Sequence, residues 1–222
     1  LSTSLEPITP GARKPSKLFR ISVLLSGKHG RGSNLAALYE ATRSGQIPHA
    51  AIVQVIGTHK DSPALERARS LGLSVEVLDI KSASFDSTLI ACIDNQEPDI
   101  ICLAGYMRKI PEQVVAKFRH RILNIHPGLL PAFAGQGMYG THVHQAVIEY
   151  GAKITGCTVH LIDEDYDTGP IVLQKAVPVL ENDSVESLAA RVLVAEHEAY
   201  PEAIKLFAEG RVSVDGRKVH IR

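Results

Sequence analysis

The chain predicts an α/β fold: a Rossmann-like, mainly parallel twisted sheet with flanking helices, and an antiparallel strand pair in the C-terminal half. Three observations carry that expectation. Short apolar runs alternate with stretches of helical period at the spacing of βαβ units. The first run empties into a glycine-rich loop that is followed at once by a helical pattern. A later run ends in Asn124-Ile125-His126-Pro127, so polar groups stand at the tip of a buried strand, where sheets of this class bind ligands.

Composition sets the bounds. At 222 residues the chain suits one α/β domain with an ample core. Its 24 basic and 24 acidic residues cancel, which argues against a general nucleic-acid or membrane-surface role. No apolar run reaches the roughly 18 residues of a membrane span. Cys92, Cys102 and Cys157 sit in apolar contexts without metal-ligand spacing, so they read as reduced, buried cysteines and no metal is expected. Residues 1–17 are rich in Ser, Thr and Pro and have no signal-peptide core, so they read as a flexible extension before a single domain over 18–222. A cytoplasmic location follows, or an organellar one if the extension is a transit remnant.

Taken in order, Phe19 to Leu25 reads as a buried first strand. Ser26 to Asn34 forms the glycine-rich loop, and Leu35, Leu38, Tyr39 and Thr42 continue at helical spacing. Strand, loop and helix together aim backbone N–H groups at an anion. The loop is neither a Walker motif nor a dinucleotide fingerprint, since Leu35 stands where a third glycine belongs. It leaves a site for one phosphate, with Ser33 as N-cap or donor. On the loop alone, a merely flexible turn is an equally good reading. Ala51 to Ile56 is the second strand. A helix begins at Ser62-Pro63 and runs to Leu71, and Ser74 to Leu78 is a third strand. A helix over about Phe85 to Asn95 precedes the strongly apolar strand Asp99 to Ala104. Pro111 opens a helix to Phe118, and the next strand ends at His126.

After Pro131 the character changes. Gly135, Gly137 and Gly140 mark a mobile loop, and a helix runs from Thr141 to Tyr150, ended by Gly151. Lys153 to Ile162 and Ile171 to Leu180 read as antiparallel neighbours joined by an acidic turn at 163–170. Asp183 to Glu186 signals a long helix with an acidic cap, reaching about Gly210 and interrupted at Pro201. Asp215-Gly216 marks a closing hairpin.

The candidate chemistry lies at the strand tip. Asn124 and His126 share a face because strand side chains repeat every second residue, and Pro127 stops the ladder. An amide donor, an imidazole and an acid from the turn 163–167 suit acyl transfer. The amide supports a developing oxyanion, the imidazole supplies a proton, and the carboxylate raises the imidazole pKa. No Gly-x-Ser-x-Gly elbow offers a covalent nucleophile, so direct transfer to an amine is the simplest outcome.

Asn124-Ile125-His126-Pro127-Gly128-Leu129-Leu130-Pro131, Gly156-Cys157-Thr158-Val159-His160 and Asp165-Tyr166-Asp167-Thr168-Gly169-Pro170-Ile171 resemble the folate-dependent formyltransferases, and the likeness runs from about residue 19 to the final hairpin. The resemblance implies the formyltransferase fold, with a phosphate-binding half at 18–126 and a folate and catalytic half at 127–222. It implies 10-formyltetrahydrofolate as formyl donor, and the amine of glycinamide ribonucleotide as acceptor, in purine biosynthesis. A formyltetrahydrofolate hydrolase or another folate-dependent formyltransferase is the alternative, and the phosphate loop favours a ribonucleotide acceptor over water. By the family's motif Asn124, His126 and Asp167 are catalytic, and Gly105 and His160 support them. Gly32, Ser33, Asn34 and Glu196 hold the ribonucleotide. Met107, Arg108, Lys109 and Ile110, with Asn124, bind the folate. No metal, nucleic acid or membrane partner is implied, and the chain is expected as a monomer or homodimer. Extra residues around 28–31 and a longer loop at 134–140 depart from the pattern. Gly128 stands where Ser is commoner, read as a neutral exchange.

Overall fold

The computed structural model describes residues 17–28 and 30–222. The expected N-terminal extension, apart from Lys17, and His29 of the first loop lie outside the described residues. The elements are β1 (Phe19–Leu25), α1 (Ser33–Arg43), β2 (Ala50–Gly57), α2 (Pro63–Ser70), β3 (Val75–Val77), α3 (Phe85–Asp94), β4 (Ile100–Leu103), α4 (Glu112–Lys117) and β5 (Ile122–His126). The second half adds α5 (Thr141–Tyr150), β6 (Ile154–Leu161), β7 (Ile171–Pro178), α6 (Val185–Ala208), β8 (Val212–Asp215) and β9 (Lys218–Ile221).

Seven strands form one sheet in the order β3-β2-β1-β4-β5-β6-β7, and β8 and β9 pair separately. Strands β1 to β5 are parallel; β6 runs antiparallel to β5, and β7 antiparallel to β6. This is the expected class, and the chain's two halves share the sheet. The order reverses between β1 and β4: the chain first builds outward to β3, then returns to the other side of β1. Crevices beyond the strand ends open at such a reversal.

Near-continuous apolar strands are buried on both faces, and their alternate residues divide between two core clusters. Val23, Ile100, Leu123 and Val159 join Leu35, Leu65, Val147, Val192 and Ile204 on the face covered by α1, α2, α5 and α6. Leu24, Ile101 and Ile122 join Phe85, Leu89, Val114 and Phe118 on the face covered by α3 and α4.

Three expectations about helices are corrected. Ser33 does not cap α1; Gly32 occupies the cap in the left-handed region at φ 66, and its missing Cβ would sit 3.1 Å from Ala64. The cap of α6 is Ser184, not Asp183, and its capping-box partner is Ser187. Hydroxyls can both give and take a hydrogen bond, so two serines close the reciprocal pair that Ser and Glu usually make. Asp183 instead pairs with Arg191 at 2.7 Å. Pro201 does not interrupt α6, which continues through it for 24 residues. A proline removes one intrahelical hydrogen bond, but contacts with β6, β7, α1 and α5 hold both sides in line. The adjacent Tyr200 is fully buried, its hydroxyl 3.0 Å from the carbonyls of both Leu103 and Leu123. That contact ties α6 to the two strands that carry the site. The final turn also falls one residue later than expected: Asp215 pairs with Lys218, leaving Gly216 at φ 54 and Arg217 as the loop. Cys102 and Cys157 are buried, Cys92 only half so, and all three are free. Among the described residues no helix is long and apolar enough to cross a membrane.

Candidate active site

A cavity of about 790 Å³ opens beyond the carboxyl ends of β1, β4 and β5. Its rims are cross-linked: the Ser26 N–H donates to Gly105 O, and the Met107 N–H donates to Ser26 Oγ at 2.6 Å. Gly105 can turn the chain away from β4 because it adopts φ 79.

At the floor, β5 delivers Asn124 and His126, and antiparallel pairing sets His160 opposite Asn124 and Thr158 opposite His126. The Asn124 amide lies 3.1 Å from His160 Nε2, and His160 Nδ1 lies 3.0 Å from the carbonyl of Leu161. The carbonyl can only accept, so Nδ1 carries the hydrogen and Nε2 accepts from Asn124 Nδ2. Asp167, at φ 57, reaches back from the turn after β6. One oxygen is 3.6 Å from His126 Nδ1 and the other 3.6 Å from His160 Nε2; the Gly135 N–H donates to the carboxylate at 3.0 Å. Of the acids in the 163–167 turn, Asp167 is the one that meets the imidazoles. The turn at 128–130 is locked from β6, since Thr158 donates to Gly128 O at 2.7 Å and accepts from Leu130 N at 3.1 Å.

His126 Nε2 lies 3.0 Å from the carbonyl of Phe133 and therefore donates to it. Burial pulls the imidazole pKa down; Asp167 and the Phe133 carbonyl push it up, and His160 lowers it again. The net direction is below the ordinary imidazole range. Asp167 thus acts in the expected sense, but the expected net rise is corrected, because desolvating the charged ring outweighs it. Burial pushes the Asp167 carboxyl up, yet the His126 charge and the Gly135 N–H hold it below the usual carboxylate value, while His160 Nε2, which accepts from Asn124, has no hydrogen to give it. A Cβ on Gly128 would meet His126 Nε2 at 3.0 Å and Val143 Cγ1 at 3.2 Å, so a larger residue there needs these neighbours to give by a few tenths of an ångström.

At one end of the cavity, Ser33 and Asn34 from the start of α1 face Glu196 from α6. Asn34 Nδ2 donates to Glu196 Oε2 at 2.7 Å, while Asn34 Oδ1 is buried without a partner. Burial pushes the Glu196 carboxyl up to about 7 against the hydrogen bond from Asn34. Gly32 is not among the lining residues; it shapes the helix start instead. Along the other wall run Met107, Arg108, Lys109 and Ile110. Ile110 doubles as a core residue, Arg108 stacks over Phe85 at 5.5 Å, and Lys109 lies 3.9 Å from Asp165. His160 is fully buried behind Asn124 and does not line the cavity.

Sequence reasoning missed several lining residues. The loop 135–141 closes one side, with Gly135, Gly137 and Gly140 at φ 95, 88 and 52. Ala189, Ala190 and Leu193 line it from α6. His144 lines it from α5, and its signal was legible: a histidine beside Val143 and Val147 on the buried side of an amphipathic helix.

Comparison with known proteins follows the same lines. The formyl transferase family model matches residues 19–204. The solved glycinamide ribonucleotide transformylase 1 of Symbiobacterium toebii is 45% identical, with a TM-score of 0.84 over 92% of this chain and 94% of that one. The chloroplastic phosphoribosylglycinamide formyltransferase of Vigna unguiculata is 39% identical over 87% of this chain and 62% of its own length. The trifunctional purine biosynthetic protein adenosine-3 of Bos taurus is 41% identical over 88% of this chain, which spans 19% of that protein. A match over most of the sheet and helices that build the cavity, together with this fold, places the chain in the formyl transferase family.

Proposed function

We propose that the chain transfers the formyl group of 10-formyltetrahydrofolate directly to the amine of glycinamide ribonucleotide, a step of purine biosynthesis. The observation that carries the reading is the meeting of Asn124, His126 and Asp167 between an anion-suited helix start and a separate wall at 107–110. Relatives named for this reaction support it. In this reading Ser33, Asn34 and Glu196 hold the ribonucleotide, and Met107 to Ile110 hold the folate.

The residues then divide the work. Asn124 Nδ2 carries two hydrogens and gives one to His160, which leaves the other for the developing formyl oxyanion. His126 exchanges its Phe133 partner for the substrate: the protonated ring gives its proton to the departing folate nitrogen, and the neutral ring then takes up the proton that the attacking amine releases. Asp167 steadies the protonated ring from 3.6 Å. His160 orients Asn124. No covalent enzyme intermediate is needed. The protein acts as a monomer or homodimer, in the cytoplasm or in an organelle.

The test follows deformylated folate when the protein is incubated with 10-formyltetrahydrofolate, with and without glycinamide ribonucleotide. Turnover should require the ribonucleotide. Equal turnover without it would make water the acceptor and the protein a hydrolase, and no turnover in either sample would end the reading. Asp167→Asn should lose kcat while ribonucleotide affinity stays near wild type.

A further inference from the structure

His144 is a buried imidazole that the proposed chemistry leaves unused. It is 4% exposed, sits in the first turns of α5 and lines the cavity. Its Nδ1 is buried with no hydrogen-bond partner. Burial and the nearby His126 charge both lower its pKa, so the ring is neutral when His126 carries the proton. A neutral imidazole has one N–H. Leaving that N–H on the sealed, unpartnered Nδ1 would strand a donor, so the hydrogen belongs on Nε2. The latter nitrogen is absent from the buried unpartnered atoms and makes no protein hydrogen bond, so it is the one open to the cavity.

The fold decides which substrate this donor meets. Val143 and Val147 of α5 join the core cluster shared with α1 and α6, the helices that supply Ser33, Asn34 and Glu196. The folate-side wall belongs with Tyr106 and Ile110 in the opposite cluster. His144 therefore stands on the acceptor's side of His126. We propose that His144 is a positioning residue for the acceptor: its Nε2–H donates to the carbonyl oxygen of the glycinamide arm, three bonds from the attacking amine nitrogen, and fixes the amine's approach. This rests on the acceptor named above. A carbonyl at that point also gives the unused donor its partner.

Glutamine places an amide nitrogen close to where Nε2 stands, whereas phenylalanine keeps the ring and removes the donor. Binding of glycinamide ribonucleotide alone is measured by calorimetry on wild type, His144→Gln and His144→Phe, followed by steady-state kinetics for both substrates. One neutral hydrogen bond predicts a rise of roughly three- to tenfold in ribonucleotide Kd and KM for His144→Phe. The KM for the folate should stay unchanged, and His144→Gln should recover most of the loss. Equal ribonucleotide affinity in wild type and His144→Phe overturns the inference, as does a glutamine variant as weak as the phenylalanine one. A rise in the KM of both substrates alike would mean a packing role and also overturns it. No ribonucleotide binding by wild type would instead remove the acceptor assignment on which it stands.

Discussion

Asn124 is held by a single hydrogen bond to His160 at 3.1 Å, so its orientation depends on a residue that never reaches the cavity. Removing an oxyanion donor of this kind costs about 3–4 kcal/mol of barrier, so Asn124→Ala should lower kcat some 10²- to 10³-fold with ribonucleotide binding retained. A steady-state assay that found wild-type kcat would remove Asn124 from the chemistry. Glu196 makes a prediction of another kind. Its folded pKa of about 7 lies above its ordinary value of 4.5, so the folded state holds its proton more tightly. The stability it contributes is full below 4.5 and is lost as pH rises through 7, a loss of ~3 kcal/mol by linkage. Glu196→Gln keeps an acceptor for Asn34 but cannot ionise. Its Tm relative to wild type should therefore climb by several degrees between about pH 5 and pH 8, and a constant difference would contradict the buried carboxyl. His126 and His144, with lowered pKa values, act in the opposite sense. Their contribution is present above the ordinary imidazole value of about 6.5 and is lost as pH falls through the folded one.

At the scale of elements, the turn between β6 and β7 carries Asp167 to its partners, and Gly169 lets it close. A Cβ on Gly169 would lie 1.9 Å from the carbonyl oxygen of Leu161, a backbone atom with nowhere to move. Gly169→Ala should cost about 3 kcal/mol or more and displace Asp167 with the turn. A lowered urea midpoint together with lost activity is expected; an unchanged midpoint would contradict the close approach. The elements themselves were largely legible in the chain. Apolar runs and caps located β1, α2, β5 and α5 to within a residue, because those signals are local. The misread positions were those where a distant contact decides. Nothing within α6 shows that Pro201 will be carried through, since the packing that straightens it comes from β6, β7, α1 and α5.

Across the whole molecule, both ends of the cavity draw on both halves of the sequence: Asn34 meets Glu196, and Lys109 meets Asp165. Ligand binding should therefore stabilise the sheet as one unit. Glycinamide ribonucleotide at about 100 times its Kd adds about 2.7 kcal/mol to the folded state. That corresponds to a Tm rise of roughly 5–10 °C for a domain of this size. A Tm indifferent to the ribonucleotide would remove the assignment of Ser33, Asn34 and Glu196.

By itself the amino-acid sequence determined the α/β class, the antiparallel pairing of β6 with β7, and the residue types of the site. Strand period puts Asn124 and His126 on one face wherever the chain goes, and an acidic turn follows β6 at a fixed distance along the chain. The family resemblance had named Asp167 among the acids of that turn; only the tertiary structure decided that His160 stands behind Asn124 rather than in the cavity, and that His144 belongs beside His126. It also settled the direction of the His126 pKa. The reason is physical: hydrogen bonds and desolvation depend on distances between groups far apart in the chain, and no local pattern encodes how deeply a ring is buried when the sheet, α5 and the loop at 133–140 close around it.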